Sequence, residues 1–146
     1  MNLLEIHDYE HLKQGIYSAF AGDKKLIEEY HIVGETLEDC VRDTHNRIIQ
    51  ESNETTMWWY LVMDEDRVIG FLVVSLAYNI LYSFGLNIKD RELYSDLFFS
   101  EISDLLSNCF SCGLYNKNAR GIKYLKRNGM KVVSSDSEKT ILRLCH

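Results

Sequence analysis

The chain of 146 residues contains no proline. Its turns must therefore be made by Gly, Asn, Asp and Ser. It also lacks a long apolar run. The most apolar stretch, Val68 to Tyr82, is broken by Gly70, Ser75 and Asn79. It is too short and too polar to span a bilayer. The first residues, Met1 to Asp8, carry neither a basic n-region nor an apolar h-region. They do not read as a signal peptide. A cytoplasmic protein with no membrane partner is expected, and its four cysteines are expected to be reduced thiols. There is no internal repeat, low-complexity stretch or linker.

What is present fits one globular domain spanning 1–146. Hydrophobic residues make up 46% and charged residues 26%, ordinary values for a chain that needs no staple. The net charge of −6 argues against nucleic acid or an anionic membrane as partner. The charge is unevenly placed, however. From Lys117 to Lys131 there are six cations and no acid, so this stretch carries +6 and the remainder −12. A local site for an anionic ligand is compatible with that pattern.

Periodicity orders the elements. Leu3 to Ile6 reads as a strand, and Tyr9 to Tyr30 as helix broken at Ala21-Gly22-Asp23. Thr36, with Asp39 three residues on, reads as a capping box for a helix to about Glu51 that buries Leu37, Val41 and Ile48. Met57 to Met63, Val68 to Ala77 and Tyr78 to Leu86 are rich in aromatic and β-branched residues. They read as a meander, with Asp64 to Arg67 as the first turn and the central strand covered on both faces. Asp90 opens a helix with Leu93, Leu97, Phe98, Ile102, Leu105 and Leu106 on one stripe. Asn108 to Leu114 is a strand, Asn118 to Asn128 a basic helix stopped by Gly129, and Val132-Val133 with Thr140 to Leu144 a final hairpin. The order β-α-α-β-β-β-α-β-α-β-β implies an α/β fold with a mostly antiparallel sheet and one parallel crossover.

Few residues carry a chemical signature by type and spacing alone. Cys109 and Cys112 form a CxxC pair, but no second pair or spaced histidines accompany it, and residues three apart on a strand face opposite sides. No metal site is expected. His7, His11, His31 and His45 have no ligand spacing and read as surface or cap residues. The basic face of Arg120, Lys123, Lys126 and Arg127 reads as a solvated helix face, as a site for phosphate, or as a weak, salt-sensitive contact for an acidic partner or nucleic acid.

The run from Asn116 to Met130 resembles the last motif of the GNAT superfamily of N-acetyltransferases. That motif has Asn opening a helix, a small residue three positions on, an aromatic, and Gly-Phe at the end. Asn118, Gly121, Tyr124 and Gly129-Met130 fill those places. The element order is similar to that family's along nearly the whole chain. The resemblance implies a GNAT-like fold, with a mixed, mostly antiparallel central sheet flanked by helices. It implies acetyl-CoA as cofactor and an amine acceptor as partner. The family's CoA loop lies after the fourth strand, which here points to Leu86, Lys89, Arg91 and Tyr94. Asn118, Lys123 and Arg127 are the matching candidates on the basic helix. Tyr94 and Asp96 stand where the family has glycines. Tyr94 is expected to crowd the cofactor and Asp96, with Asp90 and Glu92, to repel its phosphates, so weak binding is expected. Family members place an acidic Tyr four residues before the final Gly. That position holds Leu125, and Tyr124 beside it matches the aromatic packing position. Tyr82 and Ser83 are the polar candidates on the fourth strand for handling the amine proton. Similar GNAT-like proteins carried by phages imply an alternative: a catalytically inactive binding or structural module with a protein partner, housed in a virion.

Overall fold

The computed structural model describes residues 1–30, 36–107 and 109–145. His31 and Asn108 lie outside them. In chain order the elements are β1 (Asn2–Ile6), α1 (Tyr9–Phe20), α2 (Lys24–Glu29), α3 (Leu37–Glu54), β2 (Trp58–Asp64), β3 (Arg67–Ser75), β4 (Ile80–Leu86), α4 (Arg91–Leu105), β5 (Cys109–Tyr115), α5 (Ala119–Arg127), β6 (Lys131–Ser135) and β7 (Lys139–Cys145).

The strands form one sheet in the order β1-β2-β3-β4-β5-β7-β6. Neighbours are antiparallel except β4 and β5, which α4 connects as a parallel crossover. The α/β architecture and the crossover agree with the expectation from the sequence. The first long helix does break at Ala21 to Asp23. The capping box at Thr36 is present, with Thr36 Oγ1 accepting from the Asp39 amide at 3.1 Å.

The sheet buries apolar side chains on both faces because β3 alternates. Phe71 and Val73 pack against Leu12, Ile16, Val41 and Ile48 of α1 and α3. Leu72 and Val74 point the other way, toward Phe98, Ile102 and Leu125 of α4 and α5. All seven residues from Ile69 to Ser75 are buried, as a central strand covered twice requires.

Two expectations need correction. The stripe on α4 is rotated: Leu93 is 74% exposed and Leu97 44%, whereas Phe98, Phe99 and Ile102 are buried. Apolar residues surround this helix, so spacing alone chose the wrong edge of its buried face. The cysteines are not all reduced. Cys109 and Cys145 sit directly opposite in the β5–β7 register and are joined as a disulfide. Cys40 and Cys112 are both buried. Burial pushes the Cys112 thiol up to about 12, against a weaker opposing pull from Lys139.

Gly70 sets how closely β3 and β4 approach. A Cβ added there would lie 2.1 Å from the Gly85 carbonyl oxygen, an atom fixed by the backbone. Gly70→Ala is expected to destabilise the fold by about 3 kcal/mol, at the upper end of ordinary overpacking penalties. Urea unfolding monitored by tryptophan fluorescence checks this; a midpoint equal to that of the parent would show that the two strands can part without loss.

Candidate functional site

The only registered pair between β4 and β5 among the described residues is Ile80 with Ser111, near the start of both strands. Beyond it a cavity of about 1500 Å³ opens between them. Its walls include Tyr82 to Leu86 of β4 and Gly113 to Tyr115 of β5, with α1 to α3 on one side and α4 and α5 on the other. A parallel pair that separates leaves backbone amides and carbonyls of β4 without a strand partner on that edge.

The lining is cationic. Among the described residues eight Lys or Arg side chains border the cavity, against the three carboxylates of Glu29, Glu92 and Asp96. The whole chain has the opposite balance. The basic helix α5 supplies Arg120, Lys123, Lys126 and Arg127. It starts where the sequence places it: Asn118 Oδ1 accepts from the Gly121 amide at 3.0 Å. A side chain at 121 would press on the Asn118 amide group. Gly129 closes the helix with φ +99°, a conformation that suits glycine.

Arg91 and Arg120 are held by one buried carboxylate. Asp23, 1% exposed, caps α2 by accepting from the Leu26 amide at 3.1 Å. Its Oδ2 lies 2.7 Å from Arg91 Nη1 and 2.8 Å from Arg120 Nη1. Arg91 Nε also donates to the Leu86 carbonyl at 3.0 Å. Burial pushes the Asp23 carboxyl up, but the Leu26 amide and the two guanidinium groups outweigh it. Asp23 is therefore held below the usual carboxylate range. Asn87 adds a second tie: its Nδ2 donates to the carbonyls of Ser18 and Ala21 at 2.8 and 3.2 Å.

The acids around the start of α4 do not all face the cavity. Asp90, 5% exposed, gives both oxygens to Arg67, at 3.0 and 2.7 Å. This explains why it makes no side-chain cap on α4. Tyr94 points away from the cavity and donates to Asp64 Oδ1 at 3.0 Å, so the expected crowding does not occur. Its place on the helix turns it toward the β2–β3 turn. Lys89 is exposed and outside the lining, whereas Leu86, Asn118, Lys123 and Arg127 all border the cavity. Glu92 and Asp96 remain on the wall.

Tyr82, Ser83 and Tyr124 also border the cavity. Tyr124 packs against Phe84 and Phe99 and donates to the Ser95 carbonyl at 2.6 Å. Burial raises its phenol well above the ordinary tyrosine value, although Arg127, 5.6 Å from the ring centre, pulls the other way. Burial, followed by Glu51, likewise raises Tyr82. Both phenols are therefore neutral near pH 7.

Sequence reasoning missed a second cluster, across the cavity from α4. Tyr30 Oη and Thr44 Oγ1 are 2.5 Å apart, and Arg47 Nη2 donates to the same Tyr30 hydroxyl. Lys117 Nζ donates to the Tyr30 carbonyl at 3.3 Å. Lys117 and Lys139 each stand 5.9 Å from the centre of the Tyr115 ring. Only the charge of Lys117 stood out in the sequence, as the first residue of the basic stretch; the other contacts join residues far apart in the chain.

The sequence matches no protein-family model and no curated relative. The fold does have solved counterparts. The PaiA N-acetyltransferase from Thermoplasma acidophilum, crystallised in complex with coenzyme A, shares 16% identity over 100% of both chains, with a TM-score of 0.68. An acetyltransferase from Thermus thermophilus shares 15% over 100% of this chain and 98% of its own, with a TM-score of 0.69. A chimera of the spermidine N-acetyltransferase SpeG from Vibrio cholerae and hSSAT shares 8% over 99% and 95%, with a TM-score of 0.61. The chain has the GNAT fold.

Because Asp23 serves three helices, Asp23→Asn is expected to destabilise the fold by about 2 kcal/mol at pH 7. That is the scale of charge-assisted bonds lost beside arginines that keep partial access to water. Its folded-state pKa is lowered, so its contribution is complete above the unfolded-state value and disappears as pH falls through the folded-state one. Urea melts of parent and variant should therefore converge at strongly acidic pH. A gap that stays constant down to the lowest pH at which both fold would show that the charge is not what matters.

Proposed function

We propose that residues 1–146, acting as one domain, form an N-acyltransferase that moves an acetyl group from acetyl-CoA to an amine. The observation that carries this reading is the cation-lined cavity at the parting of β4 and β5. The residues there fit a long, phosphate-bearing thioester. Arg120, Lys123 and Arg127 offer donors and positive charge to phosphate, and the guanidinium of Arg91 stands at the start of α4. Ser83 to Leu86 offer an unpaired strand edge to the amide groups of a pantetheine arm, in the way an added strand pairs with an open edge. Asn118 borders the same wall. Acetyl-CoA, when bound, supplies an acyl group already activated as a thioester.

The chain's own part in the transfer is mainly orientation. Strand amides on the β4 edge are donors already in place, the arrangement that stabilises negative charge on a reacting carbonyl oxygen. Tyr82 and Ser83 are hydroxyl groups at the middle of the same strand. Tyr82, held neutral, is a donor and acceptor for the incoming amine and not a strong base. Tyr124 keeps its proton on the Ser95 carbonyl and shapes the wall through its ring.

One observation favours a second reading. The committed Tyr124 hydroxyl suits a module that binds without turnover, such as a virion-associated phage protein with a protein partner. Calorimetry with acetyl-CoA and with CoA separates the two readings. We expect one-to-one binding with a dissociation constant on the order of 100 μM, about −5.5 kcal/mol, weakened by Glu92 and Asp96. Lys123→Gln with Arg127→Gln should weaken it about tenfold, and added salt should weaken it further. Absence of heat at millimolar ligand, with the protein shown to be folded, would sink the acyltransferase reading and leave the binding module.

A further inference from the structure

We infer that the acceptor is a small amine carrying its own carboxylate, of the free amino-acid class, and not a polyamine or an uncharged amine. This rests on the acyltransferase reading and concerns the side of the cavity opposite α4.

On that side the wall carries Arg47, Lys117 and Lys139, against the single carboxylate of Glu29 among the described lining residues. The three cations are not scattered. Arg47 donates to the Tyr30 hydroxyl, Lys117 to the Tyr30 carbonyl, and Lys117 and Lys139 share the Tyr115 ring. Tyr82 lines the same cavity as Arg47 and Tyr115. Arg47 is partly neutralised, since its Nε lies 3.3 Å from Asp43 Oδ2. Lys117 and Lys139 form no ion pair with a carboxylate among the described residues. Both border the cavity and are exposed to solvent.

Two lysines over one aromatic ring, with a guanidinium across from them, would repel a polyamine and attract a carboxylate. The rings of Tyr30, Tyr82 and Tyr115 give an apolar side chain a surface to lie against. With the carboxylate held by the two lysines, the amine of such a molecule is free to turn toward Tyr82 and Ser83 of β4 in the same lining. The acids nearby are Glu29 in the lining and, outside it, Asp43 paired with Arg47, Glu51 acting on Tyr82, and Asp136, which takes the Lys139 backbone amide at 2.8 Å and feels its charge.

The test uses the full chain and two readouts. Saturation-transfer NMR measures binding of the twenty protein amino acids, their carboxamides and spermidine, and thiol release with acetyl-CoA measures turnover. At least one amino acid should bind and react, and its carboxamide at least tenfold less well in both assays. Lys117→Gln with Lys139→Gln should abolish that tenfold preference, and Lys→Arg at both positions should keep it. If acetyl-CoA binds but the carboxamides or spermidine equal the amino acids, or no amino acid binds, the inference is overturned and the acyltransferase reading stands. If amino acids bind with the carboxylate preference while acetyl-CoA does not bind, the carboxylate pocket stands and the acyltransferase reading fails. Loss of both kinds of binding overturns both.

Discussion

The carboxylate of Asp23 is the point at which three helices of the molecule meet in one charged cluster. It caps α2, and it holds one arginine from the start of α4 and one from the first turn of α5. These three helices border the cavity on both sides of the opening between β4 and β5. Burying a lone carboxylate would be prohibitive, and two guanidinium groups with a backbone amide are what make it tolerable. The arrangement also has an electrostatic consequence. Two positive charges against one negative leave a net positive group at the cavity wall, with its side chains already fixed. An anion arriving there does not have to order them.

The acids close to α4 show the same economy in reverse. Asp90, at the start of the helix, is paired with Arg67 and lies outside the cavity lining. Asp64 accepts from both Arg67 and Tyr94. One arginine at the β2–β3 turn thus draws two carboxylates away from the cavity, and Tyr94 goes with them. What looks in the sequence like an acidic, crowded loop is, in three dimensions, a loop whose acids are divided. Asp90 is neutralised by Arg67 away from the cavity, and Glu92 and Asp96 remain on its wall.

Local features were legible in the sequence wherever the cause is local. The capping box at Thr36, the Asn118 cap, the break before Asp23 and the alternation of β3 depend on residues within a few positions of one another. So does the Glu65-Asp66 turn, where Glu65 takes a positive φ of 55°. Features set by pairing over long range were not legible. The bond between Cys109 and Cys145 follows from the β5–β7 register, which no spacing rule gives. The rotation of α4 follows from which sheet side chains it meets, since Leu93, Leu97, Phe98 and Phe99 are apolar all round. The cluster of Tyr30, Arg47, Tyr115, Lys117 and Lys139 draws on four separate segments. Each member alone reads as an ordinary surface or core residue.

The uneven charge connects these two levels. A chain with a net −6 that places eight cations around one cavity has its acids elsewhere on its surface. Such a surface repels anions generally and admits them at one place, because a cleft lined by one sign focuses the field into its mouth. Lys117 and Lys139 border the cavity near Tyr115, and Arg91 and Arg120 near Asp23. An anionic ligand and an anionic acceptor would then be drawn to the same opening from different sides. Their negative charges would meet at the centre unless the reacting groups there are neutral. The residues at the centre, Tyr82, Ser83, Phe84 and Gly85, carry no charge at neutral pH, which is the condition the two flanking cationic walls require.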